Sequence, residues 1–158
     1  MLEFTGHPLF DVGLATIVAF NRKREPSELT EEDLEKVAGY MATNYIVDPL
    51  KTFLTVAFPN SGFTNPAFSK DINKRKEYAE RVLFSYKEKT SIEDSTCVFT
   101  GKAALGVPIS EEQKPGKVFR QHVPLITGEG IINFYPWGDA GLPISGEALL
   151  AIHAFPLG

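Results

Sequence analysis

Sulfur and imidazole are scarce in this sequence. Its 158 residues include one cysteine, Cys97, and three histidines, His7, His122 and His153, with two methionines and one tryptophan. A single cysteine excludes an internal disulfide and a zinc site built from cysteine alone, and it agrees with a reducing compartment. Long apolar runs are missing too. The stretch from Leu9 to Phe20 is interrupted by Asp11 and is too short to span a bilayer, and the start of the chain lacks the basic segment of a secretory signal. No membrane partner is expected, and a cytoplasmic location is. Excess positive charge is also absent. A net charge of −4 argues against indiscriminate polyanion binding, which rests on Lys and Arg neutralising phosphates. "ITGEGIIN" has glycines but lacks the Lys-Ser/Thr ending of a phosphate loop.

What is present suits a folded domain. Hydrophobic residues make up 43% of the chain, with 12 Phe and 5 Tyr, enough to bury a core within one domain spanning residues 1–158. The charge is unevenly placed. Residues 1–69 carry five Lys and Arg against nine Asp and Glu, residues 70–90 seven against four, and residues 91–158 four against seven. Only the middle segment is basic.

The local signals predict helices first. Pro8 opens a nearly all-apolar helix through Phe20, expected to be buried, and Pro26 lies in the charged turn after it. Thr30 followed by Glu31, Glu32 and Asp33 reads as an N-cap with acids in the first turn, ahead of a stripe of Leu34, Val37, Ala38 and Met41. Asp48-Pro49 signals a short helix through Phe53 that passes into a strand around residues 55–58. "FPNSGFTNPAF" is a loop with three Phe, and residues 69–89 form an amphipathic basic helix burying Ile72, Tyr78, Ala79, Val82, Leu83 and Tyr86. "CVF", "KVFRQHVPLI" and "GIINFYP" read as strands, and Ser145 caps a helix through Ala154 that Pro156 stops. The predicted class is α+β: N-terminal helices, a small mainly antiparallel sheet and a closing helix.

Few constellations could carry chemistry. Cys97 and His122 could form a nucleophile and base, but no flanking signature supports a hydrolase, and His153 lies on an apolar helix face as a core histidine would. The stretch "STCVFTGKAALG" resembles half a metal knuckle, with Thr100 where a second cysteine would stand. Zinc held by Cys97, His122 and carboxylates would be an irregular one-thiolate mixture, so no metal, cofactor or enzymatic activity is expected. "FTGK" equally suits a tight turn with Gly101 at positive φ. The basic helix is the one phosphate-binding surface on offer. Beside it, "FPNSGFTNP" supplies Asn side chains that can read base edges and aromatics that can wedge into a duplex. Solvated ion pairs on the helix and local Asn turns in the loop are the competing readings.

Three separated stretches carry a resemblance. "EFTGHPLFDVGLATIVAF", "FPNSGFTNP" and "FRQHVPLITGEGIINFYPWGDAGLPISGEALLAIHAFPLG", in that order, are similar to the CXXC-CXXC family of CRISPR-associated proteins. That family supplies the large subunit of type I-B, and related I-A, Cascade surveillance complexes. Its proteins are longer, so the resemblance implies an N-terminal portion. It further implies an RNA-guided antiviral ribonucleoprotein whose partners are guide RNA, target double-stranded DNA, the other Cascade subunits and a helicase-nuclease. The subunit would recognise the protospacer-adjacent motif, bind and help open the duplex, and recruit the nuclease, while base pairing reads the sequence. One departure is plain: the family's name implies paired cysteines, and this chain has Cys97 alone. On this basis Asn60, Ser61 and Asn65 are expected near the motif-reading loop, Phe63 as a wedge, and Lys70, Lys74, Arg75 and Arg120 as phosphate contacts. A protein-interaction platform without base readout is the alternative.

Overall fold

The computed structural model describes residues 2–110, 113–124 and 140–158. Their order is α1 (Pro8–Phe20), α2 (Glu31–Asn44), α3 (Leu50–Ala57), α4 (Pro66–Ser69), α5 (Ile72–Leu83), β1 (Ser91–Thr96), β2 (Ala103–Leu105), β3 (Lys117–Val118), β4 (Leu142–Pro143) and α6 (Gly146–Ala154). The class is α+β, with helices first, small antiparallel pairings after them, and a closing helix.

Helix α1 starts where its residues require. Pro8 sits in its first turn, and Asp11 accepts hydrogen bonds from the backbone N–H of Thr5 and of Gly6, both at 2.8 Å. Gly6 has φ +86°, a region that favours glycine. Gly13, two residues past the aspartate, has a different purpose. A Cβ there would lie 1.8 Å from the carbonyl oxygen of Ala151, so only glycine lets α1 and α6 approach this closely. α1 is not wholly buried as its composition suggests. Phe10, Leu14, Ile17 and Val18 face the core, whereas Val12, Ala15 and Phe20 stay exposed.

The core is assembled around α6. Every residue of Gly146–Ala154 is buried except the half-buried Glu147, the pattern of a helix apolar on all sides. The Ser145 hydroxyl caps it by accepting the N–H of Ala148 at 3.3 Å. α2 opens on the expected capping box, in which Thr30 and Asp33 exchange side-chain and backbone hydrogen bonds.

Three expected strands need correction. Residues 55–58 are not a strand: α3 runs on to Ala57, because Leu50, Leu54 and Phe58 recur at i, i+4 and bury one face. That burial outweighs the β-preference of Thr55 and Val56. "CVF" is not a strand either. Strand β1 lies before it and pairs with β2 through Ser91↔Leu105 and Ile92↔Ala104, and residues 97–102 form the connecting turn. In that turn Cys97 N–H donates to the Lys102 carbonyl at 2.7 Å and Gly101 N–H to the Cys97 carbonyl at 2.9 Å, with Gly101 at φ +69°. Among the described residues of "KVFRQHVPLI", only Lys117–Val118 form a strand, which pairs with β4; Phe119–Val123 then coil into a helical turn. "GIINFYP" lies outside the described residues. Backbone bonds from Leu105 to Ile144 and from Ile144 to Gly116, each 2.9 Å, tie the two strand pairs together beneath α6. Among the described residues no helix is long and apolar enough to cross a membrane.

Candidate nucleic-acid interface

The loop between α3 and α4 turns on two residues. Asn60 adopts φ +65°, a left-handed conformation that asparagine tolerates better than other non-glycine residues. Gly62 lies against Tyr78, where a Cβ would meet the ring at 2.5 Å. Between them Ser61 is buried and shares a 3.3 Å hydrogen bond with the Tyr78 hydroxyl. The Ser61 carbonyl accepts the N–H of Thr64 and of Asn65, at 3.1 and 2.9 Å. These bonds reverse the chain and drive Phe63 inward.

Phe63 is therefore not a wedge. It is 2% exposed and packs edge-on against Tyr45 and Tyr78, with centroids 5.8 and 5.0 Å away. The buried Ser61 is likewise closed to a base or phosphate. Asn65 has a structural task, since its side chain caps α4 by accepting the N–H of Ala67 at 2.9 Å. Asn60 alone of this group is exposed.

The cations also separate. Asp71 caps α5 by accepting the N–H of Asn73 and Lys74. One side of the helix, with Lys74 and Arg81, borders a cleft of ≈ 440 Å³ whose other walls are Asn60, Gln121 and His122, with Tyr78 among its lining. Arg75 faces the opposite way, into a groove against α2. Lys70 and Arg120 are exposed outside the cleft lining, Arg120 adjoining Gln121 in sequence. Of the eight predicted site residues, only Asn60 and Lys74 line this cleft. Gln121, Arg81 and Tyr78 join them without having been predicted; the polar run "RQH" between apolar neighbours is the signal that marks Gln121.

The cleft floor is uncharged. His122 is buried, its Nδ1 accepts the Phe119 N–H at 3.4 Å, and its ring stacks on Tyr78 at 6.3 Å. Burial, with the nearby His153, lowers its pKa to about 3. Burial raises that of Tyr78, against a smaller opposing effect of the Ser61 hydrogen bond. Both are neutral at pH 7. The charge comes from Lys74 and Arg81 against Glu77, which pairs with Arg81 at 2.5 Å. Such a cleft can hold one anionic group beside an amide that offers both donor and acceptor.

Cys97 and His122 form no hydrogen bond; Cys97 is buried at the start of the hairpin turn. No group of three His, Cys, Asp or Glu able to hold a metal ion occurs among the described residues. No protein-family model, curated protein or solved structure matches this chain.

Proposed function

We propose that this chain is a nucleic-acid-binding module, the N-terminal portion of the large subunit of a type I-B Cascade surveillance complex. In that role it contributes to recognition of the protospacer-adjacent motif, to DNA binding and opening, and to recruitment of the helicase-nuclease. The three-part resemblance supports the family. The observation that carries nucleic-acid binding is the exposed Asn60 amide beside Lys74, on the one basic segment of an otherwise acidic chain. Asn is suited to bidentate contact with adenine, and Lys74, with Lys70 and Arg120 further out, to phosphate. The protein reads a few base pairs and the backbone, and guide pairing supplies the rest of the specificity.

In the assembled complex, Lys74→Glu with Arg120→Glu should lower DNA affinity and flatten its dependence on salt by about one unit of slope per lost phosphate contact. An unchanged slope would return these cations to the solvent.

A second reading, a protein-interaction platform, rests on α3. Phe53 is 48% exposed and Val56 79%, an apolar pair on α3 that is not part of the cleft lining. Crosslinking the complex to labelled DNA separates the two, since adducts within residues 58–90 favour nucleic-acid contact and their absence favours the platform.

A further inference from the structure

Helix α5 has a second functional face. Between it and α2 runs a groove of ≈ 660 Å³, within the ~300–1,000 Å³ range of small-molecule sites. Ala42, Ile46, Phe63, Ala79 and Phe84 give it apolar walls, and Ile72 beside them is 70% exposed. None of its lining residues belongs to the Asn60–Lys74 cleft.

The charges around this groove do not balance. Arg75, Lys76 and Lys87 share the lining with Glu35 and Glu80, and Glu35 is already paired with Lys87. Arg75 is half-buried, its Nε is enclosed without an acceptor, and among the described residues no carboxylate pairs with its guanidinium. A guanidinium is a planar fork that holds a carboxylate at two points, and an enclosed N–H without an acceptor is costly until one arrives.

We propose that the α2–α5 groove binds an amphipathic monocarboxylate. Its apolar body lies on Ile46, Phe63 and Ala79, and its carboxylate pairs with Arg75. The surroundings select for this class. Glu35 and Glu80 repel a second negative charge, Arg75 and Lys76 repel a cation, and the apolar walls of Ala42, Ile46, Phe63, Ala79 and Phe84 match an alkyl chain better than the hydroxyls of a sugar. The site stands whether or not the chain binds nucleic acid.

The test uses two probes with one body, decanoate and 1-decanol, titrated below micellar concentration into ¹⁵N-labelled protein at pH 7. Decanoate should give saturable amide shifts confined to the groove lining, residues 35, 42–46, 63 and 72–87. Arg75→Gln should weaken decanoate at least tenfold and leave decanol unchanged, and Arg75→Lys, which keeps the charge but not the fork, should fall between. Ala42→Phe, which fills the groove, should remove both. The Lys74→Glu, Arg120→Glu protein should bind decanoate normally. Non-saturable shifts, shifts elsewhere, or an equal loss of both probes in Arg75→Gln would overturn the proposal.

Discussion

The loop at residues 58–65 and helix α5 are separated in sequence by the short α4 and pack together, yet they direct their side chains oppositely. The loop buries Phe58, Ser61 and Phe63 and exposes Pro59 and Asn60; α5 buries one stripe and keeps Lys74, Lys76, Glu77 and Glu80 in solvent. Aromatic rings in an irregular segment here act as a plug. A left-handed residue at Asn60 and a close approach at Gly62 fold the chain back far enough for its rings to join the core. On the proposed function, recognition on this side of the molecule falls to Asn60, which the turn leaves exposed, and to the cations of helix α5.

The strongest way to break that contrast is to remove the plug. Phe63→Ala should cost about 3–5 kcal/mol, as truncation of a buried aromatic does. For a chain of this size that lowers the melting temperature by roughly 10 °C. A loss under about 1 kcal/mol, within the usual range for surface substitutions or just above it, would mean the loop is not anchored through its ring. Lys74→Ala, made alongside, should leave the melting temperature unmoved.

The plug also makes the protein sensitive to acid. Phe63 and Phe58 lie against His153, whose ring stacks on Phe58 at 4.6 Å and whose Nδ1 bonds the Leu149 carbonyl at 2.9 Å. Its Nε2 is buried without a partner. Burial lowers the His153 pKa to about 4 and that of His122 to about 3. Each lies below the ordinary value of about 6.5 that the unfolded chain retains. As pH falls below 6.5 the unfolded state takes up these protons first, so stability is full above 6.5 and is lost progressively down to each folded pKa. The slope is up to about 1.4 kcal/mol per pH unit per histidine. Asp33, whose pKa is lowered chiefly by the Thr30 N–H, adds to the loss in the same direction at lower pH. Denaturant midpoints for His153→Leu between pH 4 and 6.5 should show a shallower slope than the parent. An unchanged slope would show that His153 accepts its proton while folded.

Much of the fold is legible in the residues because the signals are local. Pro8 and Asp11, the Thr30–Asp33 box and the Ser145 cap each fix a helix start with atoms a few positions apart. The stripe on α5 marks its buried face with Tyr78, Ala79, Val82 and Leu83, but the helix spans Ile72–Leu83 rather than residues 69–89. Ile72 is 70% exposed and Tyr86 beyond its end is only half-buried. The apolar face around His153 marks it as a core histidine. The site is less legible, because it depends on which way a loop turns. "FPNSGFTNP" has the composition of an aromatic recognition loop, and only the bonds from Ser61 to Thr64, Asn65 and Tyr78 reveal that Phe63 points inward. Lys74 and Arg75 are adjacent in sequence, and the 100° step between successive helical residues sends them to different clefts.

The finest test of the contrast separates the shape of the turn from the group it presents. At φ +65° Asn60 occupies a conformation that glycine adopts freely and alanine resists by roughly 1 kcal/mol. Asn60→Gly should therefore melt within about 0.5 kcal/mol of the parent, and Asn60→Ala about 1 kcal/mol below it. Both remove the amide. If that amide reads a base, the two variants should lose discrimination between targets with and without the right motif to the same extent, despite their different stabilities. If Asn60 serves only the turn, Asn60→Gly should bind and discriminate like the parent. In that outcome the outward side chain of the loop is a by-product of packing Phe63 inward, and recognition belongs to α5 alone.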